Sequence, residues 1–201
     1  MNMEEYLKNG RLLEGEYKIL GKMYPKSLLD GFFANLKIFP DDYILMDRVY
    51  EQLSANMKTI SDDILREATL ICVMGNDEGD AEFIKNNPDC CQQCGWCCKN
   101  CDPIIVRPDE IPKIGSTKNV KLFVKKGHKN AYAIKLPCNY QLKDNSCGIY
   151  NRRPDSCKIF PIGYKNGKST VQRSIHCGFI EFFLVNKTAY FVNLVHEKMN
   201  K

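Results

Sequence analysis

Asp89-Cys90-Cys91-Gln92-Gln93-Cys94-Gly95-Trp96-Cys97-Cys98-Lys99-Asn100-Cys101 is the stretch on which the reading of this chain turns. Six thiols fall between residues 90 and 101. Protein cores use free cysteine as a small buried hydrophobe, but they do not concentrate it in this way. Ligation is the remaining reading. Cys91, Cys94 and Cys97 form C-x2-C-x2-C, a spacing that lets a tight loop wrap one metal centre. Gly95 and the lack of β-branched residues suit the sharp turns such a loop needs.

Working outward, Cys101 extends the pattern to C-x2-C-x2-C-x3-C, with Asp102 standing before Pro103. The bacterial ferredoxin run is the same except that its proline directly follows the fourth cysteine. Four further thiols, Cys138, Cys147, Cys157 and Cys177, are spaced by 9, 10 and 20 residues and can converge only through a fold. Eight or nine candidate ligands imply two tetrahedral sites, or one site with spare thiols. Cys72 stands alone upstream, on an apolar helical stretch, and reads as an ordinary buried thiol.

The bulk properties narrow the classes. The chain has 201 residues, 44% of them hydrophobic and 26% charged, which is globular and neither disordered nor membrane-spanning. No basic n-region with an apolar h-region opens it, and no run of about 18 apolar residues could span a bilayer. A cytoplasmic protein is therefore expected. In a reducing compartment eleven cysteines read as metal ligands rather than a disulfide framework. Residues 1–120 carry 14 Lys+Arg against 20 Asp+Glu, and residues 121–201 carry 15 against 4. Coordinated thiols are deprotonated, so a four-thiolate site around Zn²⁺ or a [4Fe–4S] core is formally about −2. The basic half offsets such sites and the acidic half. It comes with no nucleic-acid fingerprint, so nucleic acid is not an expected partner.

Residues 1–87 read as a helical module. Residues 3–22 have apolar positions at roughly helical spacing. Pro25 followed by Lys26-Ser27-Leu28-Leu29 marks a helix start whose apolar face runs towards Pro40. Asp41-Asp42 suits the next N-terminus, and Leu45, Val49, Leu53 and Met57 line one side. Ser61-Asp62-Asp63 is a cap, with Gly75 as the stop. Asn76–Asp80 reads as a polar turn or linker, lacking the spacing of a calcium loop, and residues 81–87 as one last helical turn. This module is expected to dock a protein partner.

Residues 88–201 read as the metal-binding domain. Ile104-Ile105-Val106 predicts a short strand, and Arg107–Ile111 a capped turn cut short by Pro112. Val120–Val124 and Tyr132–Leu136 predict a hairpin with His128 as a solvated residue at its tip. Pro137, Pro154 and Pro161 stiffen the backbone beside thiols, while Arg152 and Arg153 read either as donors to the site or as surface charge. Val171 opens a short segment ending in His176-Cys177, and a C-terminal helix follows from Phe179. The fold class is α+β: a helical module, then a small irregular cysteine-rich domain with a short hairpin and a C-terminal helix.

These residues resemble the YkgJ-type cysteine-cluster family, described as a zinc- or iron-chelating domain. The resemblance is carried by Cys91-x2-Cys94-Gly-x-Cys97-Cys98, Pro137-Cys138, Cys147-Gly-Ile-Tyr-x-x-Arg153-Pro154-x-x-Cys157-x-x-Phe160-Pro161 and Cys177, over about residues 88–180. It implies the ligand set Cys91, Cys94, Cys97, Cys98, Cys138, Cys147, Cys157 and Cys177, with Cys90 and Cys101 as extras. The ferredoxin-like variant would use Cys101 instead, and both remain open. Flagellin lysine-N-methylase, a longer enzyme containing this domain, keeps methyl transfer to lysine as an alternative, although no glycine-rich S-adenosylmethionine loop is present. Thiolate-only ligation favours one or two iron–sulfur clusters of the [4Fe–4S] type, in an electron carrier or an accessory to a redox or maturation assembly. A structural zinc module is the alternative.

Overall fold

The structure is a computed structural model of the 201-residue chain. It describes all residues except 10, 11, 13–16, 18, 76, 77, 88–90, 92, 101–103, 116–119, 126, 127, 166, 167 and 201. The chain divides into two units: Met1–Asn76 with Arg173–Ile175 and Ile180–Lys201, and Asp77–Gln172 with His176–Phe179. The sequence boundary was expected at 87/88, with everything beyond it in one domain. Instead the C-terminal helical residues group with the N-terminal helices, because their broad apolar surface finds partners there.

In the first unit, prolines and capping residues set the helix ends. Its N-terminal part holds α1 (Met3–Asn9), α2 (Leu20–Met23), α3 (Lys26–Ala34), α4 (Pro40–Asn56) and α5 (Asp62–Met74). Pro25 precedes α3 as expected, and Pro40 opens α4. At that position its missing N–H is one that would have no helical partner anyway. Asp42 caps the same end, accepting from the Phe39 N–H at 2.9 Å and from Arg173 Nε at 2.8 Å. Ser61 Oγ accepts from the Ile64 N–H at 3.5 Å. Gly75 stops α5 as expected, but not through a left-handed turn: its φ is −70°. A Cβ there would stand 2.4 Å from the Ile71 carbonyl oxygen, so close approach is what demands glycine.

The core of this unit includes Leu45, Met46, Val49 and Leu53 of α4 with Leu65, Ala68 and Cys72 of α5. Cys72 is an ordinary buried thiol, as its apolar setting suggested. Among the described residues of this unit Asp42, Arg66 and Glu67 are buried charges. Arg66 bonds Asp62 at 2.7 Å and lies over the rings of Tyr50 (3.9 Å) and Tyr6 (5.3 Å), so the buried cation is paired rather than stranded. The last helix reaches the same unit through the Lys187 Nζ bond to the Gly75 carbonyl (3.4 Å) and the stack of Phe191 on Tyr24 (6.4 Å).

The second unit is short elements strung along loops: α6 (Glu78–Asn86), α7 (Cys97–Asn100), β1 (Ile104–Val106), α8 (Ile111–Ile114), β2 (Val120–Lys125), β3 (His128–Ile134), α9 (Asp155–Lys158), β4 (Ile162–Lys165) and β5 (Lys168–Val171). The helix α10 (Gly178–Met199) begins at its end. The expected hairpin is β2–β3, but its strands run to Lys125 and resume at His128 where a stop at Val124 and a restart at Tyr132 were expected, and β3 ends at Ile134 rather than Leu136. β1 pairs with the other edge of β3, Val106 opposite Tyr132, giving the antiparallel order β1-β3-β2. His128 opens β3 opposite Lys125.

Three local readings change. α6 begins at Glu78, inside the stretch expected to be a turn. Pro112 does not end the turn at 107–111. A 3₁₀ turn over Pro108–Glu110 runs straight into α8, where Pro112 occupies the first turn and lacks no bond, and Gly115 at φ 83° makes the stop. The β4–β5 hairpin falls where no strand was expected, although Asn166-Gly167 between two alternating runs is a strong hairpin signal. Helices and small antiparallel sheets together make an α+β fold. Among the described residues no helix is long and apolar enough to cross a membrane.

Candidate metal centre

The second unit's core consists of Val106, Ile114, Ile134, Cys138 and Ile149, with Cys98, Cys147, Tyr132 and Tyr140 packed against it. Three of the predicted ligands therefore sit at the rim of an apolar cluster. Each is brought there by a different element: Cys98 by α7, Cys138 by the segment leaving β3, and Cys147 by a one-residue antiparallel bridge to Gln141. The Cys138 N–H donates to the Cys98 carbonyl at 2.8 Å and the Gly148 N–H to the Tyr140 carbonyl at 2.9 Å, which ties the three segments together.

The sulfurs make contact as well. Cys98 shares hydrogen bonds with Cys138 and with Cys97, its single proton serving one of them at a time, which pushes its own pKa up and lowers theirs, to about 6 for Cys138 and about 7 for Cys97. Backbone groups help: the N–H groups of Tyr140 and Gln141 point at the Cys138 sulfur, and that of Ile149 at the Cys147 sulfur. Hydrogen bonds of this kind stabilise the deprotonated form that binds metal. Burial raises Cys147 and, more strongly, Cys157, whose thiol also feels Cys97, Cys138 and Cys147. Cys91 acts on Cys147.

Cys157 is set by α9, and α9 is pinned at both ends of its first turn. Glu110, 5% exposed, accepts from the Asp155 N–H at 2.7 Å with one oxygen and from the Arg107 N–H at 2.8 Å with the other. Ser156 Oγ donates to the Ile105 carbonyl at 2.6 Å. Arg153 is buried, lies 3.7 Å over the Tyr150 ring and donates to the Tyr150 carbonyl at 2.9 Å. Burial keeps the Cys147 and Cys157 thiols raised, and the Arg153 charge works against that shift at both, which puts this residue beside the thiols rather than among the exposed surface charges. Arg152 is exposed.

Cys94 and Cys177 belong to another edge of the unit. Cys94 is exposed, and its sulfur donates to the His176 carbonyl at 3.6 Å. Between Cys94 and Cys97 the chain turns at Gly95, φ 72°. A Cβ on Gly95 would stand 2.7 Å from the Asn145 carbonyl oxygen and 2.1 Å from Gln141 Nε2, so both conformation and space require glycine. Gln141 Nε2 donates to the Gly95 carbonyl at 3.2 Å. Trp96 stacks on His176 with centroids 5.1 Å apart and planes 17° from parallel. Sequence reasoning singled out neither Gln141 nor the Trp96–His176 pair. The one tryptophan of the chain, set in a polar loop, was the available signal.

Among the predicted ligands, Cys97, Cys98, Cys138, Cys147 and Cys157 form one neighbourhood with Cys91 at its edge, and Cys94 and Cys177 flank His176. Cys90 and Cys101 lie outside the described residues. The contacts are pairwise and do not converge. Among the described residues no group of three or more His, Cys, Asp and Glu side chains stands arranged to hold an ion. None of the described cysteines is in a disulfide. The donor set nonetheless fits a soft metal: it is all thiol, at the rim of an apolar core, with backbone N–H groups aimed at sulfur. Two thiolates on one tetrahedral ion with bonds of about 2.3 Å stand about 3.8 Å apart, the scale of a sulfur–sulfur hydrogen bond.

Fold and thiols define the second unit as a small cysteine-rich metal-chelating module. Residues 89–178, somewhat under half of the chain, match the family model CxxCxxCC, described as a "putative zinc- or iron-chelating domain". No curated protein and no solved structure matches the chain.

Proposed function

We propose that this protein is an iron–sulfur protein of the cytoplasm, holding one or two [4Fe–4S] clusters and acting as an electron carrier or as an accessory to a larger redox or maturation assembly. The ligands in this reading are drawn from Cys91, Cys94, Cys97, Cys98, Cys101, Cys138, Cys147, Cys157 and Cys177. The observation that carries it is the delivery of backbone N–H groups to the Cys138 and Cys147 sulfurs beside the Cys97–Cys98–Cys138 contacts. Such donors offset thiolate charge, and they are one of the levers that set cluster potential. A bound cluster would supply a one-electron couple. The chain's own contribution is to hold the sulfurs at the rim of an apolar core and to place the buried Arg153 near Cys147 and Cys157 as a counter-charge. The helical unit is assigned the docking of a protein partner.

A structural zinc site is the second reading. It is favoured by the Cys94/Cys97 pair on either side of the left-handed Gly95 turn, the C-x2-C loop that zinc modules use. Metal and acid-labile sulfide analysis of protein purified without oxygen separates the two. The iron–sulfur reading expects a brown protein with iron and sulfide in equal amounts, about four of each per cluster. Zinc without sulfide, in a colourless protein, would replace it with the second reading, and a metal-free protein would refute both.

A further inference from the structure

The segment 172–177 between β5 and α10 is irregular, so no ladder determines where Cys177 stands. Residues 172–175 are bonded through the Gln172 N–H to the Pro161 carbonyl, Arg173 to Asp42 and the Ile175 carbonyl to Arg48, and His176 then meets the 94–97 loop in two contacts spanning about eighty residues of sequence: the Cys94 sulfur on the His176 carbonyl at 3.6 Å, and the Trp96 indole flat against the His176 ring at 5.1 Å and 17°. On its other side the Cys94–Cys97 turn is held by Gln141, whose amide bonds the Gly95 carbonyl, and by the Gly95 packing that leaves no room for a Cβ. The turn is therefore anchored at 141–145, and His176 packs against it. Cys94 and His176 are exposed, so this edge faces solvent.

Resting on the metal-binding reading, we propose that Trp96 and His176 form a clasp: they position Cys177 beside Cys94 as ligands of the same centre and cap its solvent-facing edge, so that the stack sets how fast metal leaves. His176 acts as a positioning residue, its ring given to Trp96 rather than to the ion. The aromatic pair couples the two loops beside the Cys94–His176 bond, and aromatic pairs have couplings that correspond to about three- to tenfold in a rate or equilibrium.

The test uses the full chain as purified, its metal identified and quantified, with release into an excess of chelator followed by the chelator's absorbance and by Trp96 fluorescence. Trp96→Ala and His176→Ala are each expected to keep the wild-type metal content and release it about three to ten times faster. The double variant should be no faster than either single one, and Trp96→Phe, which keeps a stacking ring, should release near the wild-type rate. Wild-type release from both alanine variants at full metal content would overturn the clasp and leave the metal reading intact. Loss of a metal equivalent in His176→Ala with normal release from Trp96→Ala would make His176 a ligand and also overturn it. Wild-type protein with no bound metal would defeat the metal reading itself. Should Trp96→Ala fail to fold by circular dichroism, the Trp96→Phe and His176→Ala pair still decides the matter through rate and stoichiometry.

Discussion

Replacing Glu110 by glutamine tests how the thiol site is held from outside. Each carboxylate oxygen of this buried side chain accepts one backbone N–H, Asp155 at 2.7 Å and Arg107 at 2.8 Å. A hydrogen bond to a charged group is worth about 1.5–3 kcal/mol. Glutamine keeps one acceptor oxygen and turns its NH₂ group towards the second N–H, so one bond is lost and two donors face each other. The expected cost is about 2–4 kcal/mol. The Arg107–Asp155 ion pair, at 2.8 Å, is about half exposed at each partner and offsets little of this. Trp96 lies in the same unit, and its fluorescence during urea unfolding reports that unit. With a slope of about 2 kcal/mol per molar, the midpoint should fall by about 1–2 M. Because Asp155 begins α9 and Cys157 lies two residues on, metal content should fall as well. A midpoint shift under about 0.3 M with metal content unchanged would refute both the energetic estimate and the role given to α9.

Cys138→Ser should lower metal content in the purified protein, since its sulfur bonds Cys98 and receives the Tyr140 and Gln141 N–H groups, whereas Cys72→Ala should leave metal untouched and cost about 1 kcal/mol of thermal stability through lost packing in α5; equal metal content in the two variants would count against Cys138 as a ligand. Asp62 supplies a pH dependence. Burial pulls its pKa up, but hydrogen bonds from Tyr50 and Arg66 together with the Arg66 charge outweigh this and hold it below 3.8. A depressed acid pKa contributes stability that is present above the unfolded value and is lost as pH falls below it. The wild type should therefore exceed Asp62→Asn in helical stability above about pH 4 and converge on it at lower pH, as followed by circular dichroism. A pH-independent difference would remove Asp62 from this role.

Much of the helical unit was legible because its boundaries are local chemistry. Pro25, Pro40 and Ser61 act on their own turn of backbone, and such rules need no partner from elsewhere in the chain. Gly75 was found for a reason that proved different, since the steric demand comes from Ile71 rather than from a left-handed turn. Pro112 misled because proline stops a helix from inside but fits its first turn, and the 3₁₀ turn before it supplied that first turn. The addition of β1 to the far edge of β3 and the pairing of α10 with the N-terminal helices depend on long-range partners, which no local pattern encodes.

The cysteine spacing alone pointed to ligation and marked the stretch that the chelating-domain model covers, because six thiols in twelve positions serve no packing purpose. Only the tertiary structure decided which thiols meet. Cys97, Cys98 and Cys138 touch while Cys94 turns towards His176, three residues and one left-handed glycine away. The physical reason is that neighbours in sequence share a loop but not a direction. Which way each sulfur faces depends on the short bridge of Gln141 with Cys147, and on the buried Glu110 and the stacked Trp96, whose partners Asp155 and His176 lie far along the chain.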